Sequence, residues 1–177
     1  MQGTEMIRIY GLVPESIVDG EGYRYVVFVQ GCPHHCPGCH NPESHATEGG
    51  MEMPVWAVVG KIMGKKGIDG ITLSGGEPFM QPLQCTRLAQ AAHMRGLTVW
   101  CYTGYTLEEL GTMAIGNTNV GKLLSQIDVL VDGRFIQEEK SMELLFKGSR
   151  NQRIIDMKKT RETGGVCLWE APDWGMA

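Results

Sequence analysis

The feature that most constrains this chain is a set of three cysteines within eight residues. Cys32, Cys36 and Cys39 have the spacing C-x3-C-x2-C, and Pro33 and Pro37 lie between them. Because proline lacks a backbone N–H and disrupts a helix, this segment is predicted to be a loop. A loop can direct three thiolates at one inorganic group, as iron–sulfur clusters require. Three ligands for a four-iron cluster leave one iron open to a small molecule, just as catalytic zinc keeps an open position.

The same loop is also compatible with a zinc site, because zinc accepts mixed sets of thiolate and imidazole ligands. Four histidines are close enough in sequence to supply a fourth ligand: His34, His35, His40 and His45. The residues of the loop alone therefore leave two alternatives, an iron–sulfur cluster and a zinc ion.

The remaining three cysteines, Cys85, Cys101 and Cys167, are scattered along the chain. A secreted disulfide framework spreads its cysteines in pairs, so a tight triplet argues against one. Cys85 lies on an apolar helical face and Cys101 in an apolar strand, so both are predicted to be small buried hydrophobic residues. The N-terminal residues lack the basic and then apolar layout of an export signal, and the cytoplasm is the expected compartment.

The composition of the chain limits the classes of protein to which it can belong. The chain has 177 residues, of which 42% are hydrophobic and 20% charged, and this suits one folded domain. Its net charge of −4 gives no support for nucleic-acid binding, which requires a basic surface. No apolar run approaches the ~18 residues of a membrane span. We therefore expect neither nucleic acid nor a membrane as a partner.

Short apolar runs alternate with amphipathic stretches along the chain. Strands are predicted at 25–30, 71–73, 97–102, 127–131 and 154–155, and helices from Pro54, around 85–92 and from Thr106, where Glu109 completes a capping box. This order predicts parallel pairing through right-handed crossovers. A closed eight-unit barrel needs at least ~200 residues, which leaves a doubly wound sheet or an open barrel. We predict an α/β fold with an open partial TIM-type (βα) barrel of about six parallel strands and outer helices, as a single domain over 1–163 with a loosely held tail at 164–177.

A second motif, Gly75-Gly76-Glu77-Pro78, follows the predicted strand at 71–73. In parallel α/β folds, ligands bind at the carboxyl ends of the strands. Two glycines without Cβ atoms let backbone carbonyl groups approach an ammonium group, and Glu77 adds negative charge or a hydrogen-bond acceptor. Alone this motif predicts only a turn, but combined with the cysteine loop it indicates a ligand site.

Together the two motifs resemble those of the radical S-adenosylmethionine superfamily. The resemblance extends to the activases of glycyl radical enzymes, whose Asp-Gly-Pro-Gly-x-Arg and Cys-His-Asn sequences are similar to residues 19–24 and 39–41. It is strongest to the activases of anaerobic ribonucleoside-triphosphate reductases, through the segments 29–39, 102–106, 127–136 and 148–156. Two residues depart from the pattern: Glu21 replaces Pro, and Gly38 replaces an aromatic or bulky residue.

The resemblance implies a [4Fe–4S] cluster held by Cys32, Cys36 and Cys39, with S-adenosylmethionine chelated at its fourth iron. An electron from the cluster would cleave S-adenosylmethionine to methionine and a 5′-deoxyadenosyl radical. That radical would take a hydrogen atom from a backbone glycine of the reductase. The residues implied to contact the cofactor are Gly75, Gly76, Glu77, Asn41, Thr103, Asp132 and Arg134.

The implied partners are the large catalytic subunit of an anaerobic ribonucleoside-triphosphate reductase and an electron donor such as flavodoxin or ferredoxin. We expect the docked partner to exclude solvent from the site, with the basic loop at 147–153 as a candidate contact. Three alternatives stay open from the sequence: an activase of another glycyl radical enzyme such as pyruvate formate-lyase, a small synthase acting on a free substrate, and a non-catalytic zinc module.

Overall fold

The computed structural model describes residues 5–173, and within this range seven strands form one sheet. The strands are β1 (Met6–Ser16), β2 (Arg24–Val29), β3 (Met51–Pro54), β4 (Gly70–Gly75), β5 (Thr98–Tyr102), β6 (Val129–Asp132) and β7 (Arg153–Asp156), in the spatial order β3-β1-β2-β4-β5-β6-β7. Five α-helices lie in the same range: α1 (Val55–Gly64), α2 (Pro82–Met94), α3 (Leu107–Gly116), α4 (Thr118–Gln126) and α5 (Met157–Thr163). None of these helices is long and apolar enough to cross a membrane.

The four central strands, β2, β4, β5 and β6, pair in parallel, as the alternating pattern predicts. The outer strands do not, because β1 is antiparallel to both β2 and β3, and β7 is antiparallel to β6. The prediction of about six parallel strands is therefore wrong. Parallel neighbours need a long crossover, and neither the short connection 17–23 nor the connection 133–152, which contains no α-helix, provides one. The sheet is open, with β3 and β7 at its edges.

One face of the sheet is covered by helices. Ile71 and Leu73 of β4 are fully buried in one apolar core with Leu88 of α2. Since side chains alternate along a strand, Thr72 and Ser74 point to the opposite face. Burying each large aliphatic side chain stabilises the fold by about 1.5–3 kcal/mol. The helices therefore lie outside the sheet, as predicted, and leave its other face to loops.

The opposite face carries a smaller aromatic cluster. Trp100, Val129 and Val131 are buried there, and Phe146 and Trp169 pack against them. The ring centroid of Trp100 lies 5.4 Å from that of Phe146 and 5.2 Å from that of Trp169, with the rings edge to face. Such pairs contribute about 0.5–1.5 kcal/mol beyond their buried area. The connection 133–152, which contains Phe146, and the C-terminal segment after α5, which contains Trp169, therefore both cover this face.

The C-terminal segment is bonded to the edge strand β7. The carbonyl oxygen of Cys167 accepts from the backbone N–H of Asp156 at 2.9 Å, and the N–H of Trp169 donates to Ile154 at 2.8 Å. The predicted tail at 164–177 is thus attached to the sheet as far as Trp169, and residues 174–177 lie outside the described range.

The predicted start of α3 is confirmed in detail. Thr106 is the N-cap residue, and its Oγ1 accepts from the backbone N–H of Glu109 at 3.2 Å. The Glu109 carboxylate accepts in return from the backbone N–H of Thr106 at 2.8 Å. This reciprocal pair satisfies two N–H groups that the helix itself leaves free.

The segment at 19–24, which resembles a sequence of the activases, joins the amino ends of three of the central strands. Arg24 is 1% exposed, and its guanidinium donates to the hydroxyl groups of Thr72 at 3.2 Å and Thr98 at 2.7 Å. Burial lowers the pKa of Arg24 to about 10. The Thr72 hydroxyl donates in turn to the carbonyl oxygen of Asp19 at 2.7 Å. One buried side chain therefore joins β2, β4 and β5.

Candidate functional site

The cysteine loop begins directly after the carboxyl end of β2. The backbone N–H of Gly31 donates to Ser44 at 2.7 Å, and that of Cys32 donates to His45 at 3.0 Å, so the returning chain closes the loop. All three cysteines are half-buried and carry free thiols. The loop predicted from the two prolines is therefore present, and its three cysteines are partly exposed.

The Gly75-Gly76 turn lies beside this loop because β4 pairs with β2. Gly75 is paired with Val29, and the N–H of Gly76 donates to the carbonyl oxygen of Val29 at 2.8 Å. A Cβ at Gly75 would lie 2.5 Å from the Val29 nitrogen, and the φ of Gly75 is +101°. A Cβ at Gly76 would press on the backbone of Gly31 and lie 3.0 Å from the oxygen of Ser44. Only glycine permits this close contact between the two loops.

Two adjoining cavities open at this end of the sheet. The smaller has a volume of ≈ 130 Å³, and its wall includes all three loop cysteines together with Gly75 and Gly76. The larger has a volume of ≈ 600 Å³ and shares with it Cys39, Ser74, Tyr102, Phe135 and Gln152. The structure therefore brings the two sequence motifs to one continuous hollow.

Glu77 is placed differently from the other residues of its motif. Its side chain is fully buried and does not line either cavity. The carboxylate accepts hydrogen bonds from the Thr103 hydroxyl at 2.9 Å and from the backbone N–H groups of Phe79 at 3.0 Å and Gly104 at 2.9 Å. Nε2 of His34 lies 2.9 Å from the same carboxylate. Glu77 therefore joins three loops beneath the cavity wall.

Asn41 and Thr103 lie on the hollow. Asn41 lines the larger cavity, and its backbone N–H donates to the sulfur of Cys39 at 3.4 Å. Thr103 lines the smaller cavity and is 5% exposed. Both positions are compatible with the cofactor contacts that the resemblance implies.

Asp132 and Arg134 are not brought to the wall of either cavity. Asp132 is 1% exposed, and its carboxylate accepts from Nε of Arg153 at 3.0 Å and from the N–H of Leu107 at 2.8 Å. Arg134 is paired with Glu109 at 3.4 Å. Both side chains instead connect the end of β6 to its neighbours, α3 among them.

Gly38 and Glu21, the two residues that depart from the family pattern, differ in how far the backbone constrains them. Gly38 has a φ of +73°, and a Cβ there would collide with the side-chain amide of Gln137. The carbonyl oxygen of Glu21 accepts from the Arg24 guanidinium at 3.2 Å. Glycine is therefore required by the backbone at 38, whereas the bond at 21 uses an atom that every residue has.

The residues around the smaller cavity fit an iron–sulfur cluster. Burial raises the pKa of the Cys32 thiol, while the backbone N–H groups of His34 and His35 oppose this shift. Nε2 of His45 is buried on the same wall and has no hydrogen-bond partner among the described residues. Within residues 5–173, no three His, Cys, Asp or Glu side chains are placed so that they could hold a single metal ion. The three cysteine thiolates suit the iron of a cluster, and the unpaired imidazole nitrogen suits its hydrogen-bond-accepting sulfur.

Sequence reasoning missed several residues that shape the hollow. Tyr102, Phe135 and Gln152 line both cavities, and His34 contacts Glu77. Tyr102 is the last residue of β5, so its place at the carboxyl end of a central strand was the signal that could have found it. His34 was considered only as a zinc ligand, and its direction could not be known before the fold.

Fold and site together define a class of iron–sulfur protein. Residues 18–155 match the family model described as a 4Fe-4S single cluster domain. This match covers most of the chain, includes all three loop cysteines, and favours a cluster over the zinc alternative.

Relatives make the assignment narrower. The anaerobic ribonucleoside-triphosphate reductase-activating protein of Salmonella typhi is 34% identical over 162 residues, covering 86% of this chain and 100% of the relative. The protein of the same name from Escherichia coli K12 is 35% identical over 155 residues, with 82% and 96% covered. That of Enterobacteria phage T4 is 30% identical over 154 residues, with 83% and 90% covered. The chain belongs to the family of anaerobic ribonucleoside-triphosphate reductase-activating proteins.

Proposed function

We propose that this chain activates the large catalytic subunit of an anaerobic ribonucleoside-triphosphate reductase by generating a glycyl radical on it. One observation carries the proposal: the cysteine loop and the Gly75-Gly76 turn border one hollow at the carboxyl ends of parallel strands. The names of the relatives identify the reductase as the protein to be activated.

Each loop has a distinct task in this proposal. Cys32, Cys36 and Cys39 hold the [4Fe–4S] cluster, and the backbone of Gly75 and Gly76 binds the methionyl ammonium group of S-adenosylmethionine. When bound, the cluster supplies the electron that cleaves S-adenosylmethionine to methionine and a 5′-deoxyadenosyl radical. Asn41 and Thr103 are proposed as further cofactor contacts from their places on the wall. For Glu77, Asp132 and Arg134, a direct contact stays a prediction from the resemblance.

The larger cavity suits the glycine-bearing loop of the partner. Its wall combines Phe135 and Phe146 with Met142, which is 90% exposed at the rim. This hollow lies on the face of the sheet that the helices leave free, and we interpret that face as the open side of a partial TIM-type barrel. A docked protein loop would bury the rim and exclude water from the reacting atoms.

The cluster must receive its electron from outside the chain. We propose a small electron carrier such as flavodoxin or ferredoxin as the donor, and the cytoplasm as the compartment. None of the six cysteines is paired in a disulfide, which supports a reducing environment.

The decisive experiment mixes the reconstituted, reduced protein with S-adenosylmethionine and the large reductase subunit without oxygen. Electron paramagnetic resonance should show a glycyl radical doublet, which should vanish when the radical-site glycine of the reductase is changed to alanine. Pyruvate formate-lyase serves as the matched control substrate and should give no doublet. A doublet on pyruvate formate-lyase alone, or turnover of a free small molecule without a protein radical, would contradict the proposal.

A further inference from the structure

His34 lies between two of the cluster cysteines, yet its side chain is turned away from solvent. The side chain is 5% exposed, and its Nε2 lies 2.9 Å from a carboxylate oxygen of Glu77, which is fully buried. The next residue, His35, is exposed and packs edge to face against His45. Of these two adjacent histidines, one is therefore anchored in the interior and the other is not.

Glu77 is a fixed point for this anchor because, besides the N–H of Phe79 in its own loop, it is bonded by groups from a different part of the sheet. The backbone N–H of Gly104 and the hydroxyl of Thr103, both after β5, donate to the carboxylate. Nε2 of His34 faces the same carboxylate, and the ring donates to it in the tautomer that carries its proton on Nε2. Hydrogen bonds to a carboxylate are among the stronger ones in proteins.

Packing around the imidazole ring holds it in this direction. A Cβ at Gly104 would collide with the ring of His34. The ring of Tyr105 meets it edge to face, with the centroids 4.4 Å apart. The glycine therefore makes room for the histidine, and the tyrosine closes that space.

His34 also connects the cysteine loop to the turn. It lies two residues after Cys32 in the same loop, and the backbone N–H of Glu77 donates to the carbonyl oxygen of Gly31, the residue before Cys32, at 2.8 Å. The loop that carries Cys32 and the Gly75-Gly76 turn are thus connected through the side chains of His34 and Glu77. A shift of the histidine would move the cysteine relative to the turn.

We propose that His34 is a positioning residue, whose bond to Glu77 sets the distance between the cluster held at Cys32 and the S-adenosylmethionine held by Gly75 and Gly76. This inference rests on the proposed function, because it assumes that the cofactor binds at that turn. The bond adds no ligand to the cluster. Its loss should therefore weaken cofactor binding without removing iron.

The test compares three variants under anaerobic reconstitution. His34→Leu removes the donor, whereas His34→Gln places an amide N–H where Nε2 of the histidine was. His35→Asn is the matched control, because it removes the neighbouring imidazole, and asparagine tolerates the positive φ of 48° at that position. The readouts are iron per chain, the dissociation constant for S-adenosylmethionine, and the change that the cofactor causes in the resonance spectrum of the reduced cluster.

We expect all three variants to bind iron as the unaltered protein does. His34→Leu should bind S-adenosylmethionine about tenfold or more weakly and lose the cofactor-induced spectral change. His34→Gln and His35→Asn should retain both properties. Unchanged affinity in His34→Leu would overturn the inference, as would loss of iron in both His34 variants, since His34 would then help build the cluster itself. Failure of the unaltered protein to bind S-adenosylmethionine would instead contradict the proposed function.

Discussion

The loop cysteines and the core cysteines of this chain lie in opposite surroundings. Cys32 is half-buried on a cavity wall, where burial raises the pKa of its thiol and the backbone N–H groups of His34 and His35 oppose that shift. Cys85 and Cys101 are fully buried in the apolar core, and burial raises the pKa of both thiols. Because the thiolate is the form that ligates metal, the core cysteines are unsuited to it. The comparison shows that the surroundings of a cysteine, and not its presence, decide its chemistry.

The largest effect should come from removing the loop thiols. Changing Cys32, Cys36 or Cys39 to alanine should reduce bound iron to background, since three ligands leave no spare. The matched variants Cys85→Ala, Cys101→Ala and Cys167→Ala should bind iron normally. Anaerobic reconstitution followed by an iron count measures this. Near-full iron after the loss of any loop cysteine would remove the distinction between the two groups.

The next effect concerns the turn beside the loop. Gly76→Ala introduces a Cβ against the backbone of Gly31 and should weaken S-adenosylmethionine binding by about tenfold to hundredfold, with iron retained. Gly111→Ala is the control, because a Cβ there meets nothing within 4 Å. Equilibrium dialysis with the cofactor and an iron count separate the two readouts. An equal loss of iron and of binding would mean that Gly76 serves folding alone.

A smaller effect is expected in the core. Cys101→Ala leaves a small gap in a fully buried site and should lower the free energy of unfolding by about 1–2 kcal/mol. Cys167→Ala, in the half-buried C-terminal segment, should change it by less than about 0.5 kcal/mol. Anaerobic urea denaturation gives both values. A more costly change at Cys167 than at Cys101 would reverse the assignment of core and surface.

The central strands could be predicted from local patterns, but the antiparallel direction of the outer strands could not. The runs at β2, β4 and β5 and the capping box of α3 each carry their signal within a few residues. β1 alternates, with Ile7 and Ile9 fully buried, and the short connection 17–23 makes it antiparallel to β2. Strand direction therefore depends on the length of a connection, which the apolar pattern of the strands does not encode.

The site shows the same division between local and distant information. The meeting of the cysteine loop with Gly75 follows from adjacent parallel strands and was predicted. The inward direction of Glu77 depends on donors 26 and 27 residues away, at Thr103 and Gly104. The pairing of Asp132 depends on Arg153 of β7, a strand that was predicted at 154–155 but not as antiparallel to β6. Spacing in sequence cannot reveal such bonds.

The smallest effect should come from a change at Glu108, which forms an ion pair with Arg153 beside that edge. Hydrogen bonds from Arg153 lower the pKa of Glu108 from 4.5 to about 2. A lowered carboxyl pKa stabilises the fold above pH 4.5 and loses that effect as the pH falls towards 2. Because the Glu108 side chain is 62% exposed, its contribution near neutral pH should stay below about 1 kcal/mol. Glu108→Gln should therefore change the free energy of unfolding only slightly. Arg153→Gln is the comparison: it removes the charged partner of the buried Asp132 and should cost more, about 3–5 kcal/mol. Denaturation of both variants at neutral pH measures their free energies of unfolding. Equal losses in the two variants would show that the ion pair with buried Asp132 stabilises the fold no more than the exposed pair with Glu108 does.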